Sequence, residues 1–132
     1  MLGRGYALPA LRRDLRGGSR YFLLQAGSHP VGFLAWSPRD GEAFLDKLYL
    51  EPVWQGLGLG QAMLAEVIAQ ARHAGLGGVA LRVNRHNLPA IRAYRRAGFE
   101  IRATDCKPIG GGFVMDDYLM WRPVDAGRPG GG

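Results

Sequence analysis

Hydrophobic and polar positions in the first third of the chain alternate as they do in β-strands. Apolar runs at 21–24 and 31–36 flank the turn-forming residues 27–30, and together they predict an antiparallel hairpin over 20–37. A second turn precedes a third predicted strand at 44–50. Strict alternation would place Phe44, Asp46, Leu48 and Leu50 on one side of that strand and Leu45, Lys47 and Tyr49 on the other.

The hydrophobic period changes after this strand. Pro52 closes the strand because proline cannot donate a hydrogen bond to a ladder. Over about 59–74, apolar residues recur every three or four positions, which predicts a helix that ends at Gly75. Its apolar stripe consists of Met63, Leu64, Val67, Ile68 and Ala71.

The next segments predict a fourth strand and a shorter helix. Alternation at 79–83 indicates the strand. Asn87 is a predicted helix N-cap, and Pro89 falls in the first turn, where a missing N–H costs no hydrogen bond. The inner positions of this helix are Ala90, Ile91, Tyr94 and Ala97, whereas Arg92, Arg95 and Arg96 face outward.

Two further strands complete the pattern. One begins at Phe99, and the other spans 114–121 after a glycine-rich turn at 110–112. Consecutive strands predict antiparallel pairs, whereas a strand that follows a helix predicts a parallel one. The predicted fold class is therefore α/β, with a mixed, mostly antiparallel sheet and flanking helices.

The two ends of the chain differ in composition from its middle. Residues 1–19 form a short basic segment, and leucines at helical spacing predict that it is partly helical, with a helix at about 8–16. Residues 20–124 hold the predicted domain. The Gly- and Pro-rich residues 125–132 are predicted to be a disordered tail.

Composition and charge narrow the classes of function. The chain has 132 residues, of which 47% are hydrophobic, so it can build one packed domain but not a two-domain dehydrogenase. The net charge of +6 favours anionic partners, such as phosphate-bearing cofactors or nucleic acid.

Cys106 is the only cysteine, which excludes an internal disulfide and favours a cytoplasmic location. No apolar run approaches the roughly 20 residues of a membrane span. His29, His73 and His86 lack the spacing of metal ligands, so no metal site is expected.

The segment Gln55-Gly56-Leu57-Gly58-Leu59-Gly60 lies between the third strand and the following helix. Glycines at alternate positions allow backbone N–H groups to face one small volume, and the helix N-terminus adds unpaired donors and its positive dipole end. This combination is typical of a phosphate or pyrophosphate site. The loop lacks the Lys-Ser or Lys-Thr ending of a P-loop and the downstream acidic residue of a dinucleotide site.

Two segments together resemble the GNAT superfamily of N-acetyltransferases. The stretch from Leu45 to Gly60 is similar to the family's acetyl-CoA loop, usually written Gln/Arg-x-x-Gly-x-Gly/Ala. Further on, the family pattern Asn-x-x-Ala-x-x-x-Tyr-x-x-x-Gly-Phe is matched by Asn87, Ala90, Tyr94, Gly98 and Phe99. The resemblance covers about residues 20–122. It implies a sheet with a central V-shaped splay and shortened N-terminal elements.

The resemblance also implies how acetyl-CoA would bind. It places the cofactor in a V between the strand at 45–51 and the strand at 78–84, with the pantetheine paired to strand backbone and the pyrophosphate held by loop N–H groups. The implied cofactor-binding residues are Leu48, Tyr49, Leu50, Gln55, Gly56, Leu57, Gly58, Leu59, Gly60, Gln61, Asn87, Ala90 and Tyr94. The Asn87 side chain is equally explained as a helix cap.

The resemblance assigns an acid more firmly than a base. Tyr94 matches the family's general acid, which protonates the departing CoA thiolate. Some members carry a glutamate base on the strand at 78–84, but here that position is Arg82, which cannot accept a proton. The candidate bases are Asp46, Asp116 and Asp117, directly or through water, and a water chain alone is the alternative.

The sequence does not determine which amine accepts the acetyl group. The family resemblance implies a primary amine, either a small amine such as a polyamine or a protein amine, and residues 116–120 resemble the last strand of polyamine-acetylating branches. Members usually carry a further strand and two helices before the hairpin, so the 19 residues here predict a shortened N-terminus and an exposed edge that a homodimer would cover. A non-catalytic CoA-binding sensor is the alternative function. A nucleic-acid-binding protein is disfavoured because no aromatic residues are interleaved with the basic ones.

Overall fold

The computed structural model describes residues 6–7, 12–13 and 18–124, which form one sheet of eight strands and two α-helices. The strands are β1 (Tyr6–Ala7), β2 (Arg12–Arg13), β3 (Arg20–Ala26), β4 (His29–Arg39), β5 (Glu42–Leu50), β6 (Gly78–Asn84), β7 (Glu100–Gly110) and β8 (Phe113–Pro123). The helices are α1 (Leu59–His73) and α2 (Leu88–Arg96), and a short 3-10 helix spans Pro52–Trp54.

The sheet is mixed and mostly antiparallel, as the sequence predicts. Its order is β1-β3-β4-β5-β6-β8-β7, with β2 also paired to β3. Strands β5 and β6 run parallel, and the other described pairs are antiparallel. Strands β5 and β6 can run parallel because α1 connects the end of one to the start of the other. They lie in the middle of the sheet. The predicted hairpin, the two helices predicted after Gly58 and the later strands are confirmed, with small differences at their ends.

Both helices pack on the same face of the sheet, which we call the helix face. The indole N–H of Trp36 on β4 donates to Gln70 Oε1 on α1 at 2.6 Å, and Gln61 Nε2 on α1 donates to the Ala93 carbonyl on α2 at 2.9 Å. The predicted apolar stripe of α1 is buried in the core together with Leu34, Trp36, Leu81, Phe99 and Met120. The described chain places no helix on the opposite face, which we call the open face.

The predicted helix at about 8–16 is wrong at Arg12 and Arg13, which form a strand. They pair antiparallel with β3, opposite Tyr21 and Arg20. Leucine spacing reports only local preference, whereas the outer edge of β3 offers backbone groups that a neighbouring segment can pair with. The rest of that predicted helix and the predicted tail at 125–132 lie outside the described residues.

A β-bulge at Asp46 makes the predicted alternation along β5 wrong. In the register with β4, Lys47 lies opposite Ala35, but Leu45 lies opposite Trp36, so Asp46 is an extra residue. A bulge shifts the side-chain phase by one position. As a result, Leu45 shares the helix face with Leu50 instead of lying opposite it.

The same bulge marks the place where β5 and β6 separate. Their parallel ladder contains only Ala43–Leu45 paired with Val79–Leu81. Strand β6 continues against β8 as far as Asn84 opposite Asp117. Beyond Leu45, therefore, β5 leaves β6, and the sheet opens into a V between them.

Candidate active site

The V between β5 and β6 holds a cavity of about 440 Å³. Its lining comes from both segments that carry the sequence motifs. The lining residues are Phe33, Asp46, Lys47, Leu48, Tyr49, Arg82, Val83, Asn84, Asn87, Ala90 and Tyr94. Because the β5–β6 ladder has ended, no strand among the described residues pairs with the β5 backbone on the side that faces this cavity.

The glycine loop leaves an open cradle in front of the N-terminus of α1. Gly56 and Gly58 have φ of 83° and 85°, in the left-handed region that favours glycine. A Cβ built on Gly56, Gly58 or Gly60 meets no atom within 4 Å, so the space in front of these residues is free. Since Gly58 offers no side-chain cap and the first turn has no acidic residue, the first N–H groups of α1 suit an anion.

Two glutamine side chains in the predicted cofactor set position the loop rather than point into the cradle. Gln55 Nε2 donates to the Leu50 carbonyl at 2.9 Å and ties the loop to the end of β5. Gln61 Nε2 donates to the Ala93 carbonyl and ties α1 to α2. The Gln55 backbone N–H also donates within the loop, to the Pro52 carbonyl at 3.1 Å, so of these two residues only Gln61 has a first-turn backbone N–H that can serve a ligand. Trp54 packs against the core beside the loop, whereas Leu57 is exposed.

Asn87 is the N-cap of α2, as predicted, and it also lines the cavity. Its Oδ1 accepts a hydrogen bond from the Ala90 N–H at 3.3 Å. The cap occupies the oxygen, so the side-chain amide N–H groups are the donors that Asn87 can offer to a ligand. The small side chain of Ala90 lies on the same wall.

Tyr94 lies on the inner side of α2 and lines the cavity. Its ring packs against Phe99 with centroids 5.9 Å apart. Burial raises the pKa of the Tyr94 phenol above its ordinary value, because the charged phenolate would lose its hydration. The phenol is therefore protonated throughout the neutral range.

The carboxylates predicted as candidate bases each have an arginine partner. Asp46 accepts hydrogen bonds from Ser37 Oγ and from Arg39 Nη2, both at 3.0 Å. On β8, Asp116 Oδ2 lies 3.5 Å from Arg85 Nη1. Neither carboxylate therefore presents an uncompensated charge to the cavity.

Asp117 belongs to a cluster that the sequence did not reveal. Only 8% of Asp117 is exposed, and its Oδ2 lies 3.6 Å from Arg82 Nη1. The same Arg82 atom donates to Asp105 Oδ2 at 2.5 Å, and Lys107 Nζ lies 3.7 Å from that oxygen. The Arg82 hydrogen bond holds the pKa of the Asp105 carboxyl below its ordinary value. No sequence motif includes Asp105, because strand register alone brings it beside Asp117.

Metal and membrane features are not found in the part of the chain that the structure describes. No group of three or more His, Cys, Asp or Glu residues there could hold a metal ion. Neither α1 nor α2 is long and apolar enough to cross a membrane.

Comparisons with known proteins agree with this geometry. Residues 4–99 match the model of the acetyltransferase (GNAT) family. The chain is 36% identical over 97 residues to an aminoglycoside N(6')-acetyltransferase of Stenotrophomonas maltophilia, covering 73% of this chain and 51% of that protein. It is also 37% identical over 85 residues to an uncharacterized N-acetyltransferase of Mycobacterium bovis, covering 64% of this chain and 54% of that protein. The chain thus spans about half the length of these relatives.

A solved structure shows the same fold. The PaiA N-acetyltransferase of Thermoplasma acidophilum, crystallised with coenzyme A, superposes with a TM-score of 0.70 at 24% identity, covering 80% of this chain and 61% of that one. The family match includes β5, the glycine loop and α2 up to Phe99. The V, the anion cradle and the matched segments lead to one conclusion: this chain belongs to the GNAT family of acetyltransferases.

Proposed function

We propose that this chain is an N-acetyltransferase domain that moves the acetyl group of acetyl-CoA to a primary amine. The V cavity carries the proposal, because an unpaired strand edge and a protonated tyrosine line it, and the open anion cradle follows directly after the strand that forms one of its walls. Membership of the GNAT family and the CoA-bound structural neighbour support it.

The chain's own residues suit each part of acetyl-CoA, which would supply an activated thioester. The backbone of Leu48 and Tyr49 lies along the V and can pair with the amide groups of the pantetheine, whereas the Leu50 carbonyl accepts from Gln55. The loop and first-turn N–H groups from Gly56 to Gln61 can hold the pyrophosphate. The amide N–H groups of Asn87 face the same cavity and can donate to the cofactor arm.

Tyr94 is the residue we assign to the leaving group. A protonated phenol can donate a hydrogen bond to sulfur as negative charge develops there. Since burial raises its pKa, full proton transfer to a thiolate of pKa about 8.5 would run uphill. We therefore assign Tyr94 a hydrogen bond that stabilises the departing thiolate, with the phenol keeping its proton and water protonating the thiolate after release.

The amine must lose a proton before it attacks. We propose that cavity water takes it and passes it to either of two carboxylates, Asp46 or Asp117, since Asp46 lines the cavity and Asp117 lies opposite the cavity residue Asn84. Neither carboxylate is free of a cation partner, which makes a relay through water a better fit than one dedicated base.

A non-catalytic CoA-binding module is the second candidate. The observation that favours it is Arg82, which occupies the strand position where some family members carry a glutamate and which is paired with carboxylates instead. Such a module would bind acetyl-CoA in the same V without turning it over.

Calorimetry and thiol-release kinetics separate these functions. We expect the purified chain to bind CoA at micromolar concentration and to release free thiol from acetyl-CoA only when a primary amine is present. Binding without thiol release across an amine panel would favour the sensor. No binding at millimolar CoA would overturn both candidates.

A further inference from the structure

A second groove opens on the open face of the sheet and continues from the V. It has a volume of about 470 Å³ and is lined by Ser19, Tyr21, Ser37, Pro38, Arg39, Asp46 and Lys47. Asp46 and Lys47 also line the V cavity, so the two spaces meet at the β5 bulge. A molecule in this groove would lie beside the cavity that we assign to the acetyl group.

The groove carries an unbalanced positive charge. The Asp46 carboxylate is satisfied on both oxygens, by Ser37 and by Arg39. Lys47, by contrast, has no carboxylate within 4.0 Å among the described residues, and its Nζ lies 6.0 Å from the centroid of the Tyr21 ring. One carboxylate therefore faces two cations in the lining.

Neighbouring acids do not supply the missing negative charge. Glu42 is bound by both terminal nitrogens of Arg102, at 3.2 and 2.6 Å. Asp105 is held by Arg82 and lies near Lys107. Glu42 and Asp105 are thus each matched by a guanidinium, and Lys47 stays unmatched beside the junction.

We infer that the acceptor is an amine that also carries an anionic group, and that Lys47 binds that group. This inference rests on the proposed acetyl transfer. An ammonium at the V with a carboxylate reaching into the groove would complement the unmatched lysine. A polyamine, which brings a second cation, would meet Lys47 and Arg39 with unfavourable charge, so the polyamine acceptor suggested by the last strand is disfavoured.

Matched pairs of small amines test this inference directly. We would measure kcat/KM for 4-aminobutyrate beside propylamine, for 6-aminohexanoate beside pentylamine, and for putrescine. In each pair we expect the amine with the carboxylate to be preferred by about twofold to fivefold at low salt, the range for one exposed ion pair. Putrescine should be the poorest acceptor, and the preference should shrink as salt rises.

Variants of Lys47 tie the preference to the groove. Lys47→Gln should bring the carboxylate-to-amine ratio close to one, Lys47→Arg should keep it, and Lys47→Glu should reverse it in favour of putrescine. Arg72→Gln, which removes one positive charge from the exposed surface of α1, is the matched control and should leave the ratio as it is.

The outcomes distinguish the two proposals. Acetylation with a preference for putrescine, or a ratio unchanged in Lys47→Gln, would overturn the anionic acceptor while leaving acetyl transfer in place. A failure to acetylate any of the five amines would overturn the proposed transferase activity, and the anionic acceptor with it.

Discussion

The two faces of this sheet are built in different ways. On the helix face, the anion cradle is made from residues that are neighbours in sequence, Gln55 to Gly60 followed by the first turn of α1. On the open face, the charged pairs join residues far apart in the chain, such as Arg82 with Asp105 and Arg102 with Glu42. In the function we propose, cofactor binding would thus depend mainly on local backbone conformation, whereas acceptor binding would depend on how the strands are registered.

This difference has a functional consequence. A local backbone cradle tolerates few substitutions, because backbone N–H groups serve a ligand only if nothing occupies the space in front of them. Side-chain pairs on exposed strands can be exchanged at little cost to folding. The helix face therefore suits a constant cofactor, and the open face suits an acceptor that can differ among relatives.

The largest effect should come from a side chain that fills the space in front of the glycine loop. Gly60 has an ordinary helical φ and an open space in front of it, so Gly60→Leu should fold normally while its side chain fills the phosphate site. We expect CoA affinity to fall about a hundredfold, which corresponds to about 2.7 kcal/mol of lost charge-assisted hydrogen bonding. Calorimetric titration with CoA measures this.

The control for this variant lies on the same helix. Ala65→Leu places the same side chain on the exposed side of α1 and should bind CoA as the unmodified chain does. Equal CoA affinities in the two variants would contradict a phosphate site in the cradle. They would mean that side chains, rather than backbone N–H groups, bind the ligand on the helix face, as they do on the open face.

The next largest effect concerns Tyr94, where the two faces meet. Tyr94→Phe keeps the ring packing against Phe99 but removes the proton donor, so we expect kcat to fall about a hundredfold with little change in thermal stability. Because burial raises the Tyr94 pKa, kcat of the unmodified chain should not fall as the pH is raised from neutral to about 10. Thiol-release rates across pH test both points, and an unchanged kcat would exclude Tyr94 as the group that stabilises the thiolate.

A moderate effect is expected from the open-face carboxylates. If water relays the amine proton to either Asp46 or Asp117, either single substitution by asparagine should lower kcat by less than about tenfold, and the double variant by clearly more than the product of the two. Rates with a fixed amine, with circular dichroism as a folding control, measure this. A hundredfold loss from one substitution alone would identify a single dedicated base instead of a relay.

Sequence reasoning performed best where a short stretch determines the structure. The loop from Gln55 to Gly60, the helix stripe beginning at Met63 and the cap at Asn87 are all found as predicted, because each depends on residues within one or two turns. The two motifs also lead to the V, since they flank the parallel strands that form it.

The features that were missed depend on strand register. The Asp46 bulge changes the phase of β5, yet nothing in the local pattern signals an extra residue. The pairing of Asp46 with Arg39 and of Asp117 with Arg82 likewise follows from which strands are neighbours. Sequence reasoning treated these acids as available bases because it could not place their arginine partners.

The smallest effect isolates a single open-face contact. Arg82→Met removes the hydrogen bond that lowers the Asp105 pKa, so the carboxyl should titrate closer to its ordinary value, and Lys107→Met should shift it less because that lysine is the weaker influence. The lowered Asp105 pKa also determines how folding stability changes with pH. A lowered folded pKa contributes stability that is present above the unfolded pKa of about 4 and is lost as the pH falls through the folded value.

The Arg82→Met variant should therefore lose less stability on acidification than the unmodified chain does. Carboxyl NMR titration of Asp105 and unfolding curves between pH 2 and 5 provide the measurements. An Asp105 pKa that moves more in Lys107→Met than in Arg82→Met would show that the ammonium, not the guanidinium, organises this carboxylate. Lysine charge would then contribute to the open face both at the β7 edge, through Lys107, and on the central strand β5, through Lys47.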